Sequence, residues 1–128
     1  MTRAVDVGIV TTNPDAMIAF YCDVLGLEDL GQLKTSSASV RQLRYGASLI
    51  KLVTFASRPP GSAVPGGTPA ATGYRYCTLQ VTGLDDLVAA CSLAGRRVVV
   101  SPREIGAGMR VAIVEDPDGN WVEFMAAE

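Results

Sequence analysis

Trp121 and Glu123 occupy alternate positions in an apolar run, so in an extended strand their side chains leave the same face. The same alternation groups Leu49 with Lys51 and Val53, and Tyr74 with Tyr76 and Thr78. These groups supply a carboxylate, an ammonium and two phenols for ion pairing or proton transfer, rings for stacking, and aliphatic surface to exclude water. An apolar and aromatic wall carrying a few polar groups is the usual lining of a small-molecule pocket.

The rest of the inventory narrows the chemistry. The 128 residues contain no histidine, which excludes Ser-His-Asp and Cys-His nucleophiles, helix-borne zinc motifs and facial triads. Any acid, base or ligand must come from Asp, Glu, Tyr, Lys or Cys. Cys22, Cys77 and Cys91 are odd in number and widely spaced among apolar residues, as expected of reduced thiols in a cytoplasmic protein. Gly106-Ala107-Gly108 lacks the third glycine of a dinucleotide loop and precedes a strand, so it reads as a turn. Gly66-Gly67 reads as a hinge. Arg41 and Arg44 read as solvated strand charges. A net charge of −2 gives no field to recruit nucleic acid or an anionic membrane. No apolar run approaches the roughly 18 residues of a membrane span, and the N-terminus lacks the apolar core of a secretion signal.

The elements that must position these residues come as an internal repeat. Residues 6–12 align with 76–82, and 13–19 with 83–89: a short apolar strand, a polar or glycine turn, then an amphipathic helix stopped by Gly26 or Gly95. Asn13 reads as the N-cap of the first helix with Pro14 at its first position, and Met17, Phe20, Tyr21, Val24 and Leu25 form its packing face. Leu84, Leu87, Val88 and Cys91 form the equivalent stripe in the second. Strands are expected near 28–33, 39–45, 49–55, 97–100, 109–114 and 121–125, with Gly46-Ala47-Ser48 and Asp116-Pro117-Asp118-Gly119-Asn120 as turns. The class is α+β. Two βαβββ modules, 1–56 and 74–128, are joined by a Pro/Gly-rich connector, 57–73, within a single domain. Their strands are expected to form a curved, cup-shaped mixed sheet with the helices on its convex side and the ligand on its concave side.

The segments Val7-Gly8-Ile9, Phe20-Tyr21-Cys22-Asp23-Val24-Leu25-Gly26-Leu27 and Glu115-Asp116-Pro117-Asp118-Gly119-Asn120-Trp121-Val122-Glu123-Phe124 resemble the vicinal oxygen chelate superfamily, the group of glyoxalases, bleomycin resistance proteins and extradiol dioxygenases. The resemblance covers almost the whole chain. It implies a metal site with ligands from the first and last strands of each module, usually His or Gln and Glu. Those positions carry Asp6, Lys51, Tyr76 and Glu123 here. Only Glu123 keeps the usual type, and lysine offers a cation no lone pair while opposing its charge.

No metal or other cofactor is therefore expected, and Asp6, Lys51 and Glu123 are expected as an ion-paired polar cluster. Three functions follow. The first is a metal-free protein that sequesters an apolar or aromatic antibiotic or metabolite, with Tyr74, Tyr76, Trp121, Leu49 and Val53 as the ligand wall. The second is a metal-independent isomerase, lyase or cyclase, with Asp6 or Glu123 as base and Lys51 or Tyr76 as acid. The third is a metal-dependent lyase or dioxygenase that draws ligands from loops. A homodimer is expected, as family members often pair.

Overall fold

The apolar alternations of the sequence become strands, and each half of the repeat closes its own sheet. A computed structural model describes residues 2–127 and divides into two compact units, Met1–Ser62 and Ala63–Glu128. The boundary falls inside the Pro/Gly-rich connector.

The first unit holds β1 (Val7–Val10), α1 (Pro14–Ile18), β2 (Glu28–Lys34), β3 (Ala38–Tyr45) and β4 (Ser48–Phe55), with sheet order β1-β4-β3-β2. β1 runs parallel to β4, and the other pairs are antiparallel. Alternation sorts the faces: Leu43, Ile50 and Leu52 are buried on the side that takes Met17, Phe20 and Tyr21 from the helical segment. Leu49, Lys51 and Val53 lie on the opposite, open face, with Gln42 directly across from Lys51. Arg41 and Arg44 pair with Asp29 and Glu28 across the β2–β3 ladder at 3.3 and 2.8 Å.

One continuous α-helix from Asn13 to Gly26 does not form. α1 ends at Ile18 and continues as a π-helical segment, Ala19–Val24, in which the Leu25 amide reaches back five residues to the Phe20 carbonyl. The widened turn admits two adjacent rings to the core, Phe20 and Tyr21, packed edge to face at 5.0 Å between centroids. Hydrophobic spacing signals helix but does not resolve the extra residue per turn. Asn13 also makes no side-chain cap; its carbonyl accepts the Met17 amide, and its own N–H donates to Thr11 Oγ1 at 2.9 Å.

The second unit repeats the plan with β5 (Tyr76–Gln80), α2 (Leu84–Leu93), β6 (Val98–Gly106), β7 (Met109–Glu115) and β8 (Trp121–Ala127), in the order β5-β8-β7-β6. Leu84, Val88 and Cys91 of α2 are buried, as are Val122, Phe124 and Ala126 of β8. β6 runs well past the short strand expected at 97–100, interrupted by register shifts around Val100 and Pro102 that bend it without ending it. Both units are thus βαβββ modules of α+β class. Among the described residues no helix is long and apolar enough to cross a membrane.

Candidate functional site

In the second unit, β8 pairs in parallel with β5 so that Tyr76 stands beside Trp121 and Thr78 beside Glu123. All four project from the face opposite α2, because the alternate residues Val122 and Phe124 are the buried ones. The Thr78 hydroxyl donates to Glu123 Oε1 at 2.7 Å. Tyr76 is 51% exposed. The result is a strip with aromatic rings at one end and a hydroxyl–carboxylate pair at the other.

The indole of Trp121 is held from two sides. Its Nε1–H donates to Glu115 Oε2 at 3.4 Å, and the same oxygen accepts Arg97 Nη1 at 3.0 Å. Its face is covered by Gly67, where an added β-carbon would land inside the indole, on Cδ2, Cε2 and Cζ2. Gly67 is required twice over, since its φ of +66° is also unfavourable for any residue with a side chain. Arg75 fixes the segment that carries Gly67: Nε donates to the Gly67 carbonyl at 2.8 Å and Nη2 to the Val64 carbonyl at 2.6 Å. A recess of about 80 Å³ lies among Val64, Pro65, Tyr74, Arg75, Asn120 and Trp121.

The Asp116 turn sets the start of β8. Asp116 is buried, and its Oδ1 accepts the amides of Asp118 and Asn120 at 2.9 Å each, while Oδ2 accepts Asn120 Nδ2 at 3.0 Å. Gly119 completes the turn with φ +86°, donating to the Asp116 carbonyl. These residues organise the loop that delivers Trp121.

In the first unit, Asp6 lies just before β1. Its Oδ1 accepts the Leu49 amide at 2.9 Å and its Oδ2 is 3.6 Å from Lys51 Nζ, with the two side chains 39% and 38% exposed. Leu49 and Val53 flank Lys51 and are half-buried. Of the three residues expected as one ion-paired cluster, Asp6 and Lys51 therefore come together in the first unit, and Glu123 belongs to the second, where Thr78 takes its carboxylate. Tyr74 precedes β5, so strand alternation does not fix its direction; it is fully exposed beside the recess.

All three thiols are shifted upward from the ordinary cysteine range. Burial raises the pKa of Cys77, with Asp116 adding to it, and pushes Cys91 up to about 11. Cys22 is raised by burial and by Asp29 and Asp23. None has the electropositive setting of a reactive cysteine.

A family profile described as the Glyoxalase/Bleomycin resistance protein/Dioxygenase superfamily matches residues 3–124. The chain belongs to that superfamily. Solved structures agree on the fold: a glyoxalase family protein from Bacillus cereus superposes with a TM-score of 0.86 at 18% identity, covering 99% of this chain and 95% of that one. A glyoxylase/bleomycin resistance protein/dioxygenase domain from Frankia sp. gives 0.80 at 17%, covering 100% and 93%. The trypanothione-dependent glyoxalase I of Leishmania major gives 0.72 at 21%, covering 98% and 87%. No curated protein matches the chain.

The superfamily's metal does not fit the side chains found here. Lys51, at one of the positions the resemblance assigns to a ligand, brings a positive charge and no free electron pair, and it lies 3.6 Å from the carboxylate at another, Asp6. Among the described residues no three of His, Cys, Asp and Glu gather closely enough to hold an ion. Gly67 and Arg75 are the site residues that the sequence did not disclose. Gly66-Gly67 signalled conformational freedom, but nothing in a linear chain marks which side chain a glycine lies against.

Proposed function

We propose that this superfamily member binds an apolar or aromatic small molecule, an antibiotic or a metabolite, without a metal. The ligand stacks on Tyr76 and Trp121 of the second unit, and the Thr78–Glu123 pair orients it through a polar substituent. The observation that carries this reading is the exposed Tyr76 in register with Trp121 and one residue pair from Thr78–Glu123: stacking surface and a charged acceptor on one face. Lys51 at a ligand position supports metal independence. In the first unit, Leu49 and Val53 around the Asp6–Lys51 pair form a second apolar and polar surface of the same kind.

The acid–base reading, with Asp6 or Glu123 as a base, is the weaker one. Asp6 is committed to an ammonium and an amide, and Glu123 to a hydroxyl, so the oxygens a base would use already have partners. The proposal places the protein in the cytoplasm, in keeping with its three free cysteines, and as a homodimer. Exposed apolar side chains on the first unit's sheet, Val10, Leu33 and Phe55, favour such pairing.

The test is a titration of metal-stripped protein with a panel of aromatic metabolites and antibiotics, followed by the fluorescence of the single tryptophan. A saturable response is expected, weakened about tenfold by Tyr76→Ala, as for an aromatic contact at the centre of a site. A broad panel with no response, or binding that appears only after metal is added, overturns the reading. Turnover that survives in the wild type and is lost in Glu123→Gln would establish the acid–base alternative instead.

A further inference from the structure

We infer that Gly67 and Arg75 form a latch that decides whether the face of Trp121 is available, and so select the ligands the site admits. The inference rests on the aromatic site proposed above, but the latch is a property of the chain without ligand.

Residues 63–73 form a strap that runs over Trp121 before β5 begins. Most of its residues are exposed, while Gly67 alone within it is buried, seated on the indole. Among the described residues, the backbone of the strap makes a single donor bond, Ala70 N–H to the Gly67 carbonyl at 3.3 Å. Its attachment is therefore concentrated in one side chain. The Arg75 guanidinium ties the Val64 and Gly67 carbonyls and so pulls the strap down at the residue that touches the ring. A segment with few buried apolar groups and few backbone bonds opens at far lower free energy than the strands beneath it.

The indole itself stays in place when the strap lifts. Its N–H is bonded to Glu115, whose carboxylate is braced by Arg97, and neither residue belongs to the strap. Opening thus exposes a preset stacking surface beside Tyr76. Closed, the strap leaves a recess of about 80 Å³ beside Trp121, with Gly67 seated on the face of the indole. Ligands that stack on Trp121 must displace Gly67, whereas smaller ones use Tyr76 alone. Glycine at 67 is the element that permits closure, because any β-carbon there occupies the volume of the ring.

The experiment uses the full chain without ligand and reads two signals: hydrogen exchange at the Ala70 amide and acrylamide quenching of Trp121. Arg75→Gln is expected to raise the open population, and with it Ala70 exchange, about a hundredfold, the combined effect of losing the two charge-assisted hydrogen bonds to the Gly67 and Val64 carbonyls. Quenching of Trp121 rises in parallel. Gly67→Ala is expected to hold the strap open, bringing quenching close to that of free N-acetyltryptophanamide. Exchange at Val111 and Val114 should stay at wild-type level in both variants, separating strap opening from unfolding. Arg75→Lys, with the charge but not the two-pronged geometry, falls between. Wild-type exchange and quenching in a folded Arg75→Gln or Gly67→Ala protein would overturn the latch, as would a wild-type Trp121 already quenched like the free indole. A latch that behaves as expected beside an empty ligand panel would leave the strap established and the proposed ligand reading refuted.

Discussion

The Lys51 ammonium lies 3.6 Å from one oxygen of Asp6, and the other oxygen of the same carboxylate accepts the Leu49 amide. The two contacts differ in worth. The ion pair is more than a third exposed and is screened by water, so Lys51→Met should cost less than about 0.5 kcal/mol. Asp6→Ala also strands a backbone donor and should cost about 1 kcal/mol. Urea unfolding of both variants and of the double variant measures each cost and their coupling.

Divalent cations should leave the protein unmoved. A site occupied at a hundredfold excess over its dissociation constant would contribute about 2.7 kcal/mol and shift a domain of this size by several degrees. Thermal midpoints in Ni, Zn, Mn or Co, against chelator, are expected to coincide; a shift of that order would reinstate a metal site.

Asp116 should be the most costly polar residue to lose. Its buried carboxylate satisfies two backbone amides and the Asn120 side chain, all of which Asp116→Ala leaves unpaired. A loss of about 2–4 kcal/mol is expected. Because the turn delivers Trp121, the emission maximum should move before global unfolding, which a denaturant series followed by both fluorescence and circular dichroism resolves.

Acid should weaken the α2–β7 junction. The bidentate hydrogen bonds from Arg110 hold the Asp85 carboxyl below its ordinary value. A depressed folded pKa stabilises above the unfolded value and is lost as pH falls through the folded one. The stability difference between wild type and Arg110→Met should therefore be largest near neutrality and shrink between about pH 5 and pH 2. Equal pH profiles for the two proteins would contradict this.

Alkali acts on Cys91. Its pKa rises from 9.0 to about 11 on burial, so its contribution is intact below the unfolded value and declines as pH rises toward the folded one. Cys91→Ala should flatten the alkaline limb of a stability profile. In the native protein at pH near 8, a chromophoric disulfide reagent should label Cys91 last, and only at the rate of unfolding.

Much of this was legible in the chain because the signals are local. Alternation placed Trp121 with Glu123 and Lys51 with Leu49 and Val53 on common faces, and Asp-Pro-Asp-Gly-Asn marked its turn. The π-helical segment was not legible, because Phe20 and Tyr21 satisfy an α-helical stripe as readily as a π-helical one. Neither was the pairing of Glu123 with Thr78 in preference to an ion-pair partner, which depends on the parallel β5–β8 register. The cover that Gly67 provides depends on the path of the strap, which composition leaves open.

The β5–β8 register has a kinetic side. Thr78 meets Glu123 across 45 residues, and Asp6 meets Leu49 across 43, since the first strand of each unit pairs only with its last. Helix and hairpins can form from neighbouring segments, but β1 and β5 must wait for loop closure around everything between them. During that interval Tyr76 has no neighbour and the strap has no indole to settle on. The face that carries Tyr76, Trp121, Thr78 and Glu123 is therefore among the last parts of its unit to mature, and a destabilised β8 would release it first.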